Sequence, residues 1–503
     1  MRPVVISARR AAPRLAALAL VTYALGTPAG VSAQAAPAAP VAPVAPVAAA
    51  TQPPTLAAPT PLRLPAMVER TLPNGLRLVI VEQRELPVVD AQLVVRSGSE
   101  ADPAGKAGLA TLTANMLDEG AGTRDALALA EEIGYLAIRL GTFAGLEQST
   151  LTLHSTRTTL DSAMALLADV ALRPTFPEKE FARLKSERLT ALLQEQDRGP
   201  AMADRAFAAL VYGETHPYGR SSAGARETVE PITLDDVKQF WRRWYRPNNA
   251  TLVLVGDLSV AEAVALASRA FGAWERAPLP TIAYGKARTP AATAIHIVDK
   301  PKAAQSSFRL GAIGVARNTA DYYPLMVMNT ALGGSFTSRL NNTLREVKGY
   351  TYGAGSSFAM RRAAGPFTAR AEVVSAKTDS ALIEFMKELT GMRRPMPAGE
   401  LEKVKRYLRL GYADGFESTS DIAAQVAGLV PTGLPLSTLG AFDAGVARVT
   451  AADVQRVAAR YLDPAKLTIV IAGDRATIEA PLKATKIAPV DVRDMRGRPV
   501  IVP

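Results

Sequence analysis

Residues 250–259, ATLVLVGDLS, and residues 467–476, LTIVIAGDRA, are one phrase written twice, 217 positions apart. Each is a Val/Ile/Leu-rich run of strand length closed by Gly-Asp, and each follows a helix-like end, RRWYRPNN at 242–249 and ARYLDPAK at 459–466. The same offset lays LVIVEQ (78–83) on IHIVDK (295–300), and GLATLTANML (108–117) on LMVMNTALGG (325–334). ALRPTFPEKEFARLKSERL (171–189) and GMRRPMPAGELEKVKRYLRL (391–410) match at nearly that spacing. Self-similarity at a fixed period means two homologous halves. Within each, strand-like runs such as RLVIVEQ and AQLVVRSG cluster apart from long helical stretches, so the class is α+β. Helical windows are expected at 183–197, 204–212 and 234–245, and at 322–332, 399–413 and 450–461, with Thr233 or Asp235 capping the third.

The chain of 503 residues is 48% hydrophobic, enough for more than one substantial core. Arg2, Arg9, Arg10 and Arg14, the apolar run Leu15 to Leu25, and Val31-Ser32-Ala33 together have the form of a secretory signal peptide over 1–33. The run is short for a membrane span, which needs about 20 apolar residues; an uncleaved anchor is the alternative reading. Without these four arginines the formal charge of +11 becomes +7, scattered among acidic residues, and no basic stripe points to nucleic acid. The chain has no cysteine, which removes disulfides, thiolate metal sites and cysteine nucleophiles. Residues 34–66, beginning QAAPAAPVAPV, are an Ala/Pro-rich linker. Residues 67–280 and 281–485 are then the two halves, and 486–503 a C-terminal tail.

Several phrases in order, LPNGLRLVIVE (72–82), RSGSEADPAGKAGLA (96–110), HPYGR (216–220), WYRPNNATLVLVGDLS (244–259) and LGGSFTSRLNNTLREVKGYTYG (332–353), resemble the pitrilysin, or insulinase-like, family of zinc metallopeptidases, which includes the mitochondrial processing peptidase. The resemblance spans roughly residues 67–480. It implies that each half folds as two α+β repeats and that the halves close as a clam-shell chamber around peptide. Active chains of the family carry His-x-x-Glu-His on the helix matching residues 111–115: two imidazoles on one helix face bind zinc and the glutamate activates water. This chain has Thr111, Ala114 and Asn115 there, so neither ligand nor general base remains. No cofactor is expected in this chain. His154, His216 and His296 are its only histidines and none pairs at helical spacing; Glu187 and Glu195 are placed for a third ligand but read better as solvated helix face.

Arg345 and Tyr352, after a Gly333-Gly334 loop, resemble the arginine/tyrosine pair with which the family's zinc-free half contacts substrate. Tyr350, two positions away, is the competing aromatic, and the glycines also read as a helix C-cap. Strands near Ser306–Gly311 and Gly353–Met360 are candidate edges for peptide addition. The resemblance therefore implies a catalytically incomplete subunit, secreted to the periplasm or envelope of a bacterium. It pairs as a heterodimer or larger complex with a zinc-bearing chain of the same family that hydrolyses peptides. A non-hydrolytic peptide-binding or scaffold protein is the alternative.

Overall fold

The computed structural model describes residues 62–285, 287 and 290–500; the expected signal peptide and nearly all of the expected linker lie outside the described residues. The fold rests on two six-stranded sheets. The first contains β1 (Met67–Thr71), β2 (Arg77–Glu82), β3 (Val88–Val95), β4 (Arg139–Ala144), β5 (Ser149–Thr156) and β6 (Ala250–Gly256), in the order β1-β2-β6-β3-β5-β4. The second contains β7 (Ala294–Asp299), β8 (Gln305–Ile313), β9 (Thr351–Phe358), β10 (Pro366–Val374), β11 (Thr468–Gly473) and β12 (Val490–Arg493), in the order β9-β10-β8-β11-β7-β12. In both, the strand from the repeated phrase runs parallel to the first repeated strand, β6 to β2 and β11 to β7.

The duplication holds across the fold. β2 begins at Arg77 and β7 at Ala294, 217 residues later, and the same shift relates β6 to β11 within a residue. Helices α2 (Leu160–Leu172), α3 (Glu178–Glu195), α4 (Gly199–Tyr212) and α5 (Leu234–Trp244) of the first half correspond to α8 (Thr378–Gly391), α9 (Ala398–Gly411), α10 (Thr419–Leu429) and α11 (Ala451–Tyr461) of the second. Besides the two large sheets, a short two-stranded pair joins Gly120–Ala121 to Arg124–Asp125 in the first half. The sixth strand is not duplicated: β1 enters antiparallel to β2, whereas β12 lies parallel to β7. Val490–Arg493, within the expected tail, therefore closes one sheet edge.

Helix limits follow from caps. Thr233 caps α5 through a capping box with Asp236, and Thr450 does the same for α11 with Asp453. The start of α3 at Glu178 and of α4 at Gly199 each fall five residues before the expected windows, because Pro177 and Pro200 serve as helix-start residues.

The strand cores explain a packing arrangement that contiguous halves do not predict. In β2, Leu78 and Ile80 face one core while Val79 and Val81 face another; in β6, Leu252 and Leu254 alternate in the same way with Val253 and Val255. Such two-sided apolar runs need cover on both faces. One face of the first sheet is covered by helices of its own half, including α2, α5, α1 (Leu109–Asn115) and α6 (Val260–Phe271). Its other face is covered by α10 from the second half, through Ile422, Ala423 and Val426. Reciprocally α4, the counterpart of α10, lays Met202, Ala203, Ala206 and Phe207 against Val298, Val470 and Ala472 of the second sheet. Each half lends a helix to the other.

Polar contacts tie the N-terminal half of each exchanged helix to the other half of the chain. Thr419, at the head of α10, donates to Asp90 Oδ2 of β3 at 2.5 Å, and His154 Nδ1 lies 3.1 Å from the other carboxylate oxygen. Within α4, Asp204 is gripped by both Nε (2.5 Å) and Nη2 (3.1 Å) of the buried Arg309 of β8. Truncating Ile422 to Ala should cost about 2–5 kcal/mol, the range for emptying a core site. Hydrogen exchange should then accelerate first in β2 and β6, strands of the other half; acceleration confined to the second sheet would contradict the exchange.

Candidate functional site

Helix α1 starts where Gly108, at φ +102°, turns the chain, and the buried carboxylate of Asp102 accepts from the backbone N–H groups of Gly108 and Ala110, both at 2.8 Å. The three positions of interest are absorbed into packing. Thr111 donates its hydroxyl to the carbonyl of Ser222 at 2.7 Å, tying α1 to a loop 111 residues further along the chain. Ala114 is 1% exposed within the first core, and its carbonyl accepts from Thr142 of edge strand β4 at 2.8 Å. Asn115 is half-buried. Glu187 pairs with Arg183 at 3.0 Å and Glu195 with Arg205 at 3.0 Å. Among the described residues no group of three or more His, Asp or Glu is placed to hold a metal ion. A hydroxyl, a methyl and an amide on α1 do not fit zinc. Elemental analysis of the purified chain should find far less than one zinc per chain. The triple variant Thr111→His, Ala114→Glu, Asn115→His should lose stability, because its new carboxylate enters an apolar core.

His154 lies beside Asp90, and His296 Nδ1 lies 2.5 Å from Asp491. His216 accepts from the Tyr218 N–H at 3.0 Å within a cluster formed with Tyr212, Tyr218 and Tyr284, and burial lowers its pKa. These are structural placements.

The second half presents a different surface. After α7 (Tyr322–Asn329) the helix widens into a π-turn at Thr330–Gly334, and a second π-turn covers Asn342–Val347. Such turns are rare and concentrate at functional sites. Gly333 is required by packing: a Cβ there would lie 2.3 Å from the Ser356 nitrogen of β9. Gly334 is exposed. Arg345, on the second π-turn, sets its guanidinium 4.6 Å from the centre of the exposed Phe336 ring, with Glu346 at 3.5 Å. Gly349, at φ +64°, reverses the chain into β9. Tyr350 is half-buried against the second core, whereas Tyr352 is 91% exposed and its hydroxyl has no partner among the described residues. All recorded hydrogen bonds of Thr111 and Ala114 stay in the first half, and none joins them to Arg345 or Tyr352.

β9 is an edge strand, but Ser306–Gly311 is not an edge: as part of β8 it pairs with both β10 and β11. Side chains also cover part of the β9 edge. Asn341 accepts from the Ala354 N–H at 3.1 Å, and Asn329 donates to the Ser356 carbonyl at 3.0 Å. The open part of this edge is its beginning, around Tyr352.

The hairpin joining β9 to β10 reaches into the first half through Arg362. Its guanidinium bonds Glu100 at 2.8 Å and the Pro431 carbonyl at 3.0 Å, and its backbone N–H bonds Glu147 at 2.8 Å. Tyr284 donates to Glu100 and Tyr218 to Glu147, closing a buried network that nothing in the sequence motifs announces. Burial pushes the Glu100 carboxyl up to about 7 against the pull of Tyr284 and Arg362, with Glu147 reinforcing the rise. Burial likewise raises Asp102 to about 7. The sign follows: with folded values above the ordinary 4.5 and 3.8, the unfolded chain loses these protons first. Stability from this source is complete below about pH 4 and falls as pH rises to about 7. Glu100→Gln should flatten its share of that fall, on the order of 3 kcal/mol, in chemical denaturation between pH 5 and 8. An unchanged slope would remove Glu100 from the account.

A family model described as Insulinase (Peptidase family M16) matches residues 77–214, and one described as Peptidase M16 inactive domain matches residues 231–408. A crystal structure of a peptidase M16 inactive domain from Pseudomonas fluorescens superimposes with a TM-score of 0.76 at 30% identity, covering 81% of this chain and 98% of that one. The chain belongs to peptidase family M16, the insulinase family. An uncharacterized zinc protease of Mycobacterium leprae is 31% identical over 299 residues, 57% of this chain and 64% of the relative's length. A non-peptidase homolog from Helicobacter pylori is 25% identical over 276 residues, 55% of this chain and 63% of the homolog. The chain thus spans slightly less than two thirds of these two relatives. Among the described residues no helix is long and apolar enough to cross a membrane.

Proposed function

We propose that this chain is the non-hydrolytic subunit of a two-chain M16 peptidase of the bacterial envelope. A zinc-bearing partner of the same family supplies the metal and the base, and this chain offers Arg345 and Tyr352 to the peptide. The observation that carries the reading is a contrast: Thr111 and Ala114 on α1 are engaged in contacts within the first half, while the Tyr352 hydroxyl stands in solvent with no partner among the described residues. A guanidinium and a phenol beside an edge strand can donate to a peptide carbonyl and strengthen as that oxygen gains charge. The signal-like N-terminus supports export. The test is to mix the purified mature chain with M16 chains of the same organism that carry His-x-x-Glu-His. Association should accompany a large rise in peptide hydrolysis. Peptide binding by a stable homodimer that no zinc-bearing chain joins would favour the scaffold reading instead.

A further inference from the structure

On the first half, a groove of about 530 Å³ is lined by Arg173, Arg242, Arg246, Arg269, Trp241 and Trp274, among other residues, none of them on α1 or β9. The acidic residues along it are Asp169 and Glu275. Asp169 is already held by Arg124 at 2.9 Å and by Arg173, and Arg269 reaches Asp161 at 2.6 Å. The other two guanidiniums have no carboxylate partner. Arg242 is exposed and makes no hydrogen bond or ion pair among the described residues, and Arg246 touches only the Glu275 carbonyl at 3.4 Å. The Arg246 Nε is buried and has no hydrogen-bond partner among the described residues, so this guanidinium is not consumed by an internal ion pair.

The duplication supplies an internal control. At the 217-residue offset, Arg243 corresponds to Arg460, and each sits in the last turn of its helix, α5 or α11, where a cation complements the helix dipole. Trp241, Arg242 and Arg246 correspond instead to Ala458, Ala459 and Asp463. The second half therefore builds the same helices without this set, and the fold does not require it.

We propose that this groove binds a phosphate ester, with the phosphate held by Arg242 and Arg246 and the organic portion along Trp241 and Trp274. Guanidinium forks match phosphate oxygens in pairs, and the indoles supply an apolar wall. The same chemistry is offered by a soluble phosphorylated molecule and by a phospholipid headgroup. Inorganic pyrophosphate is the probe, followed by intrinsic fluorescence, since two of the chain's three tryptophans line the groove. Saturable binding is expected, weakened about tenfold or more in Arg242→Ala and in Arg246→Gln, the scale of losing one charged hydrogen bond, and unchanged in Arg243→Ala. Arg242 makes no internal contact, so its variant reads binding even if Arg246→Gln misfolds. Displacement of pyrophosphate by phosphatidylglycerol vesicles, and not by phosphatidylcholine vesicles, assigns the headgroup source; displacement by glycerol phosphate alone assigns the soluble one. Absence of saturable binding, or equal binding by the parent and Arg242→Ala, would overturn the proposal.

Discussion

Tyr352→Phe should lower kcat of the assembled two-chain peptidase by about 10²–10³-fold, the scale seen when one oxyanion donor is removed, with a much smaller change in peptide affinity. The split between rate and affinity is the informative part. A hydroxyl that donates equally to ground and transition states would shift KM, whereas one that strengthens as the carbonyl oxygen gains charge lowers kcat. The substitution removes one oxygen from a ring that is 91% exposed, so folding should be unaffected. Arg345→Lys should also be harmful, because lysine keeps the charge and loses the planar fork that rests over Phe336. Steady-state kinetics, with assembly checked by sedimentation, decides the matter. A Tyr352→Phe complex turning over at the parental rate would reduce the tyrosine to a surface residue.

Neither half should fold when produced alone as residues 67–280 or 281–500, and the two should recover a folded complex when produced together. The cause is the helix exchange. Without α10, the first sheet exposes a continuous patch made by Val79, Val81, Val94, Val253 and Val255; without α4, the second exposes Val298, Val470 and Ala472. An uncovered sheet face of this kind favours aggregation over a native monomer. Each isolated half would also carry its own exchanged helix with no sheet beneath it. A soluble, cooperatively melting monomer of either half would show that the exchange is dispensable.

The repeated phrases made the two halves legible, because a 217-residue offset preserves both strand periodicity and helix ends. The exchange was present in the same residues but went unread. VLV in β6 and IVIA in β11 are apolar at both parities, which states that both faces are covered without saying by which helix. The vacant zinc motif was legible because it is an absence at fixed spacing. The local shape around Arg345 was not: two π-turns, at Thr330–Gly334 and Asn342–Val347, interrupt the helices there, and a 3.6-residue periodicity does not encode them. Which of the two candidate edges is open was not legible either: β8 pairs on both sides, and Ser306 and Ser307 are buried. Ser306 shares a hydrogen bond with Thr378 and Ser307 with Glu372. The Arg362 network escaped notice because it joins residues more than 200 positions apart, Arg362 to Glu100 and Glu147.

On the proposed reading this chain lacks hydrolytic activity of its own and supplies substrate contacts to a zinc-bearing partner. The most direct measurement is peptide hydrolysis by the purified mature chain, by the partner, and by their mixture, with zinc counted in each. The account predicts no turnover and no stoichiometric zinc in this chain, and activity in the mixture that depends on Tyr352. Turnover by this chain alone, in proportion to zinc it has bound, would contradict it.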